Sequence, residues 1–408
     1  MNRHRPLALL VAAALLPFVA APAHAATLLE IYQQALQRDP TIREADARRL
    51  AALEAAPQAR SVYLPQIDFS ASYETSTSDG SGVQNAPFEQ PAGSGNFVVV
   101  PFPFESRTDS DVKAWNFSLR QTLFRWDQIV GLKQAEKQVA RAETVRESAQ
   151  QDLIVRVVTR YFDVLAAEDQ LLAIHSNRRA IARQLEQAKQ RFEVGLIAVT
   201  DVQESQAAFD QATADEIQAK RELASARFLL REITGEYIQD LAAPGENVPL
   251  RTPDPFNAEA WVDQSMAQNL DLLVSRIDEQ LARDEISSRR NGHLPTLDLV
   301  ARLGNRDVES LQDTGLAVGA LPADSNFDSD SIGIEFNLPI FAGGGTTSRV
   351  REAVYLHRAS REALQRVTRE TESTARDSFL AVETDISRVQ ALRQAVQSSR
   401  TALEATEA

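Results

Sequence analysis

The sequence contains no cysteine, so no disulfide framework can hold it together in an oxidising compartment, and no lipid can be attached through an N-terminal cysteine. Beyond Ala26 no apolar run approaches the ~20 residues of a membrane-spanning helix, so the mature chain can enter a bilayer only as a β-barrel. A basic stripe is also missing. Against 57 acidic residues stand 43 Lys and Arg, a net charge of -14, which argues against nucleic acid as a partner. Aromatic residues make up only 6% of the chain, and with abundant Ala, Gln, Glu and Arg the composition is that of coiled helices rather than a globule. Histidine is scarce: after Ala25 there are His175, His293 and His357, none with a second ligand at metal spacing, and each reads as a surface or packing residue. Gly343-Gly344-Gly345 lacks the Lys-Ser/Thr of a phosphate loop. The carboxylates fall three and four residues from Arg, as solvated ion pairs. No catalytic constellation emerges, and no enzyme activity, metal or cofactor is expected.

What is present begins with an export signal. Arg3 and Arg5 precede an apolar run from Leu7 to Leu16, which ends after Pro17 in Ala23-His24-Ala25. This is the order of a secretory signal peptide, with cleavage near Ala25, so residues 1–25 are assigned to it.

The remainder reads as two copies of one unit. At one constant offset Asp39-Pro40 falls on Asn269-Leu270, and Tyr63-Leu64-Pro65-Gln66-Ile67 falls on His293-Leu294-Pro295-Thr296-Leu297. A slightly shorter offset aligns Leu119, Leu123 and Phe124 with Phe336, Ile340 and Phe341. Residues 26–240 form the first copy, the Pro- and Gly-bearing stretch 241–256 a linker, and 257–408 the second copy.

Each copy holds two stretches of strict alternation, the mark of two-faced strands. Ile67, Phe69, Ala71 and Tyr73 alternate with Gln66, Asp68, Ser70 and Ser72; Trp115, Phe117 and Leu119 with Asn116, Ser118 and Arg120. The second copy repeats this in Leu297, Leu299, Ala301 and Leu303, and in Ile332, Ile334, Phe336, Leu338 and Ile340. The polar stretches Thr75 to Val112 and Asn305 to Asp330 are expected as long exposed loops, in which the apolar piece Val98 to Phe104 stands out without an assigned role. Pro65, Pro295, Pro339, Gly343 and Gly344 mark joints between strand and helix.

After the strands come very long helical patterns. From Trp126 to Val194 apolar residues recur at threes and fours without a proline, giving roughly 100 Å of helix, far beyond one globular core. The chain turns at Val194-Gly195-Leu196 and returns from Asp201 to Ile233, with Asp201 a candidate N-cap. An opening helix from Leu28 to about Ala56 is expected to extend that shorter return, and Ala258 to Asn291 is its counterpart. The fold class is therefore mainly α with a small β part: long helical hairpins plus four strands.

Four strands cannot close a barrel, and an open sheet in lipid would leave two edges unpaired. Three chains would give twelve strands around an aqueous bore, with polar faces toward water and apolar faces toward lipid. A sandwich edge packed on helices, or a soluble periplasmic coiled-coil adaptor, are the alternatives.

Three segments carry a family likeness: Arg191-Phe192-Glu193-Val194-Gly195-Leu196-Ile197-Ala198-Val199-Thr200-Asp201-Val202-Gln203, Gly292-His293-Leu294-Pro295-Thr296-Leu297-Asp298-Leu299, and Leu338-Pro339-Ile340-Phe341-Ala342-Gly343-Gly344. On them the chain resembles the TolC family of outer-membrane efflux and type I secretion channels, from about Leu28 to the last residue. The resemblance implies a homotrimer in outer-membrane lipid, whose α-helical barrel extends into the periplasm and works with a periplasmic adaptor (membrane fusion protein) and an inner-membrane pump. It further implies that Val194, Gly195 and Leu196 form an adaptor-docking tip. Thr200 and Asp201 match the family's gate-lock, where the Asp accepts hydrogen bonds from an Arg and a Tyr of the other hairpin. At the shorter offset Ala408 falls on Arg191, so the second tip and its return helix are not among these residues. The chain then reads as a fragment of a longer product or as a C-terminally truncated channel.

Overall fold

The structure is a computed structural model that describes residues 25–245, 248–313 and 320–407. Nearly all of the expected export signal, including Arg3, Arg5 and the Leu7 to Leu16 run, lies outside the described residues.

The opening segment forms three short helices rather than the single one expected. Helix α1 (Leu28–Arg38) starts in a capping box, with Thr27 N–H donating to the Glu30 carboxylate at 2.8 Å. It stops at Asp39, whose ψ of 122° is extended because Pro40 crowds the preceding residue out of the helical region. Helix α2 (Pro40–Leu53) then begins with Pro40 at its first position, where the missing N–H costs nothing. Asp39 caps it, Oδ1 accepting from Ile42 N–H at 3.0 Å. A third helix, α3 (Ala55–Ser61), leads to the sheet. The segment after the linker breaks in the same way, as α6 (Ala258–Gln268) and α7 (Leu270–Arg290). Between them Asn269 has a ψ of 123° and accepts from Leu272 N–H at 2.7 Å.

The long helices follow their patterns closely. Helix α4 (Trp126–Glu193) runs 68 residues, α5 (Val199–Thr234) runs 36, and α8 (Gly345–Glu407) runs 63. No helix among the described residues is long and apolar enough to cross a membrane.

The sheet is larger than expected. Strands β1 (Gln66–Glu89), β2 (Phe97–Phe124), β3 (Thr296–Asp313) and β5 (Ser325–Asn337) lie in the order β1-β2-β3-β5, all antiparallel, and a two-residue β4 (Leu321–Pro322) pairs with β3. The segments Thr75 to Val112 and Asn305 to Asp330 are therefore mostly strand, not loop. Their Ser, Thr and Asp side chains pair across the ladder, Thr75 with Asp111 and Thr77 with Asp109 at 2.7 Å each, which gives polar strands the cross-strand contacts that apolar ones obtain by packing. The apolar piece Val98 to Phe104 belongs to β2 and pairs with residues 82–88 of β1.

The chain divides into two compact units. One takes the residues up to Asp46 with Arg146–Arg251, the other Ala47–Val145 with Thr252–Ala408, so α4 and α2 each contribute to both. In the first unit, Leu153, Val157, Tyr161 and Val164 of α4 meet Leu223, Ala226, Leu230 and Ile233 of α5 and Ile31 and Ala35 of α1 in one core. Each fully buried large side chain there contributes about 1.5–3 kcal/mol. Part of the linker stretch joins that core: Leu241 bridges in parallel to Ala26, and the Tyr161 hydroxyl donates to the Ala242 carbonyl. In the second unit α4 and α7 are linked by polar contacts, Lys137 to Asp284 at 2.6 Å, Arg141 to Asp278 at 2.5 Å and Gln134 to Glu285 at 3.1 Å.

Candidate functional site

The turn between α4 and α5 is built by its glycine. Gly195 has a φ of +77°, a conformation that costs other residues a Cβ clash, and it closes a Schellman motif: Leu196 N–H donates to Arg191 at 2.9 Å and Gly195 N–H to Phe192 at 2.8 Å. The helix thereby ends with its carbonyls satisfied and its flanking apolar side chains pointing outward, Val194 at 70% and Leu196 at 73% exposed. Nothing lies within 4 Å of where a Gly195 side chain would begin. The tip is a bare, greasy knob.

Thr200 and Asp201 stand exposed on the first turn of α5. Asp201 is not the N-cap expected of it. Ala198 takes that place, and Asp201, three residues on, accepts the Ala198 N–H at 3.2 Å through its carboxylate. A carboxylate in a first helical turn also meets the positive end of the helix dipole. The cap engages one carboxylate oxygen of this exposed side chain and not the other.

Midway along the hairpin, α4 and α5 share a polar cluster that sequence reasoning missed. Glu216, nearly buried, receives Lys220 at 2.7 Å, His175 Nδ1 at 3.4 Å and the Arg178 guanidinium. The Lys220 hydrogen bond is the largest influence holding its carboxyl below the usual range, opposed by desolvation and assisted by His175 and Arg178. His175 is thus a partner in a cluster, and His357 likewise lies 2.6 Å from Glu279.

At the sheet's helical end lie the prolines and glycines next to the strands. Pro65 and Pro295 immediately precede β1 and β3, and Pro339 follows the end of β5. Gly343 and Gly344, with φ of +59° and +81°, turn the chain into α8. In the sheet above them the register sorts the faces. Ile67, Leu119, Ala301 and Ile332 form one row, Phe69, Phe117 and Leu303 the next, which Asp330 completes on β5, and Trp115 and Phe117 touch edge to face at 6.1 Å. Most of these side chains are exposed in the single chain, Ile332 at 78%, while Leu119 and Ala301 are half-buried. The opposite face is polar: Arg120 bridges Asp298 at 2.8 Å and Glu335 at 3.2 Å, and Asp298, all but buried, also takes Arg125 at 3.4 Å. Among the described residues the two outer strands, β1 and β5, have no partner on their far sides.

A sequence model described as "Outer membrane efflux protein" matches residues 31–236 and 261–408. The chain belongs to the outer membrane efflux protein family. Outer membrane protein TolC of Escherichia coli is 36% identical over 388 residues, covering 94% of this chain and 73% of that protein. Alkaline protease secretion protein AprF of Pseudomonas aeruginosa is 29% identical over 386 residues, 94% of this chain and 75% of that protein. Among solved structures, the outer membrane protein VceC of Vibrio cholerae superposes with a TM-score of 0.64 at 16% identity, over 92% of this chain and 84% of that one. The mainly helical fold with its sheet is the fold of these channels, and the relatives give no support to the soluble-adaptor alternative.

Proposed function

We propose that three copies of this chain share their sheets as a twelve-stranded barrel. The observation that supports this reading is the sheet itself, four long strands and the short β4, largely apolar on one face, polar on the other, and unpaired along β1 and β5 among the described residues. In lipid every unsatisfied backbone group costs several kcal/mol, and pairing β5 of one copy with β1 of the next removes both edges. The apolar rows then face the bilayer and the Arg120, Asp298 and Glu335 wall lines water.

The chain is an outer-membrane channel of efflux and secretion, with a tunnel reaching into the periplasm. In this reading it works passively and is not an enzyme: a pump in the inner membrane supplies the energy, and a periplasmic adaptor grips Val194, Gly195 and Leu196. Thr200 and Asp201 form part of the gate-lock, with Asp201 using the oxygen its cap does not engage. Residues 26–240 and 257–408 descend from one duplicated unit, joined by 241–256; the matching helix breaks at Asp39 and Asn269 support this. Residues 1–25 direct export. Heat-modifiable migration of the full-length protein in outer-membrane fractions is the expected result. Recovery in the soluble periplasmic fraction would contradict the reading.

A further inference from the structure

Among the described residues, the sheet past Arg107 narrows to a two-stranded ribbon. Strand β2 pairs with β3 as far as Arg107 opposite Asp313, whereas β1 and β2 continue together to Glu89 opposite Phe97. Both faces of this ribbon are apolar: Val83, Phe97 and Val99 on one, Phe88, Val98 and Phe102 on the other, 45% to 67% exposed. A lone two-stranded ribbon is marginal in water, and a greasy patch of this kind marks a contact.

Bilayer lipid is a poor match for it. The apolar rows that would face lipid end near Tyr73, and Val83 lies roughly 30 Å farther along the strand, at about 3.3 Å per residue. Between them runs a polar belt containing Asp79, Arg107, Asp109 and Asp111.

We infer that the ribbons of three copies of this chain pack face to face about the threefold axis and cap the outer mouth of the channel. The inference rests on the trimeric reading above. Three observations select a second copy as the occupant. Between Gly80 and Phe104 the only charged residue is Glu89, in a chain that is 25% charged, so identical ribbons meet without repulsion. Glu89 is itself turned to the ribbon's own end, accepting Gly95 N–H at 2.5 Å. Pro87, Pro101 and Pro103 remove N–H donors from the ribbon's edges, which blocks addition of a foreign strand and leaves the faces as the route of association. Finally, β5 ends at Ser325, level across the sheet with Val308, Val112 and Glu74, so the seam that joins copies stops short of the ribbons and leaves all three of them beyond it at one mouth.

The chain's lack of cysteine makes one introduced thiol unique. In the full-length protein extracted as its native oligomer, Val99→Cys and Val100→Cys each report one face of the ribbon. Oxidation with copper phenanthroline is expected to convert more than half of the chains of at least one variant to disulfide-linked dimers. Ser331→Cys, on the polar face of β5, should stay unlinked. Light scattering on the same samples separates the two ideas. Trimers unlinked at both ribbon positions would overturn the cap and leave the trimer standing, whereas monomers would overturn both.

Discussion

Asp39 and Arg156, far apart in sequence, meet in a two-pronged ion pair of 3.0 and 3.3 Å, with the Asp39 side chain only 1% exposed. The same carboxylate caps α2, so at the break that Pro40 imposes one residue restarts the helix and fastens the restart to α4. Removing it should therefore cost stability in two separable parts. Asp39→Ala is expected to destabilise by about 2–4 kcal/mol: about 1 for the cap, the rest for stranding a guanidinium that is partly wet. Asp39→Asn keeps the cap, as Asn269 does at its own break, and should cost about half as much. Denaturant midpoints of the two variants check this, and equal losses would remove the cap from the explanation.

Glu216 gives stability a pH dependence of known sign. Its folded carboxyl is held below the ordinary 4.5 by Lys220 first, then His175 and Arg178. A depressed folded value stabilises the native state above the unfolded value and loses that stabilisation as pH falls through the folded one. Thermal midpoints from pH 7 down to pH 3 should fall more steeply in the parent than in Glu216→Gln. Parallel curves would show that the cluster carries no net coupling.

Asp201 combines a local cap with the proposed lock, and two substitutions separate these roles. Asp201→Asn retains an acceptor for the Ala198 N–H but no charge; Asp201→Ala retains neither. If the charge fastens the entrance, both should raise single-channel conductance in a planar bilayer several-fold. A rise confined to Asp201→Ala would assign the effect to the cap.

At the tip, Gly195→Trp places a bulky group on the exposed knob, in space that is empty in the chain itself. The positive φ adds strain of about 1–2 kcal/mol, too little to unfold 68 residues of α4. Trimers should survive while adaptor-dependent efflux is lost. Normal efflux with intact trimers would take the tip out of the docking surface.

Much of this architecture is legible from periodicity alone. The stripe through Leu153, Val157, Tyr161 and Val164 announces a buried helical face, and the alternation at Ile67, Phe69 and Ala71 announces a two-faced strand. The turn is readable because the positive φ it needs at residue 195 favours glycine. What escaped has a physical reason in each case. The polar halves of β1 and β2 carry Ser, Thr, Asp and Gly, residues favoured in loops, and they are strand because of partners dozens of residues away. The break at Asn269 has no proline to signal it, unlike that at Asp39. The Glu216 cluster joins two helices, and at helical spacing a single sequence cannot tell a buried carboxylate from the solvated ones around it.

Closure by three copies makes this sheet one third of the proposed barrel. Native mass spectrometry of the mature protein, released from the outer membrane in mild detergent, tests it most directly: the account predicts a dominant species of three times the protomer mass. A stable monomer, soluble without detergent, would contradict it.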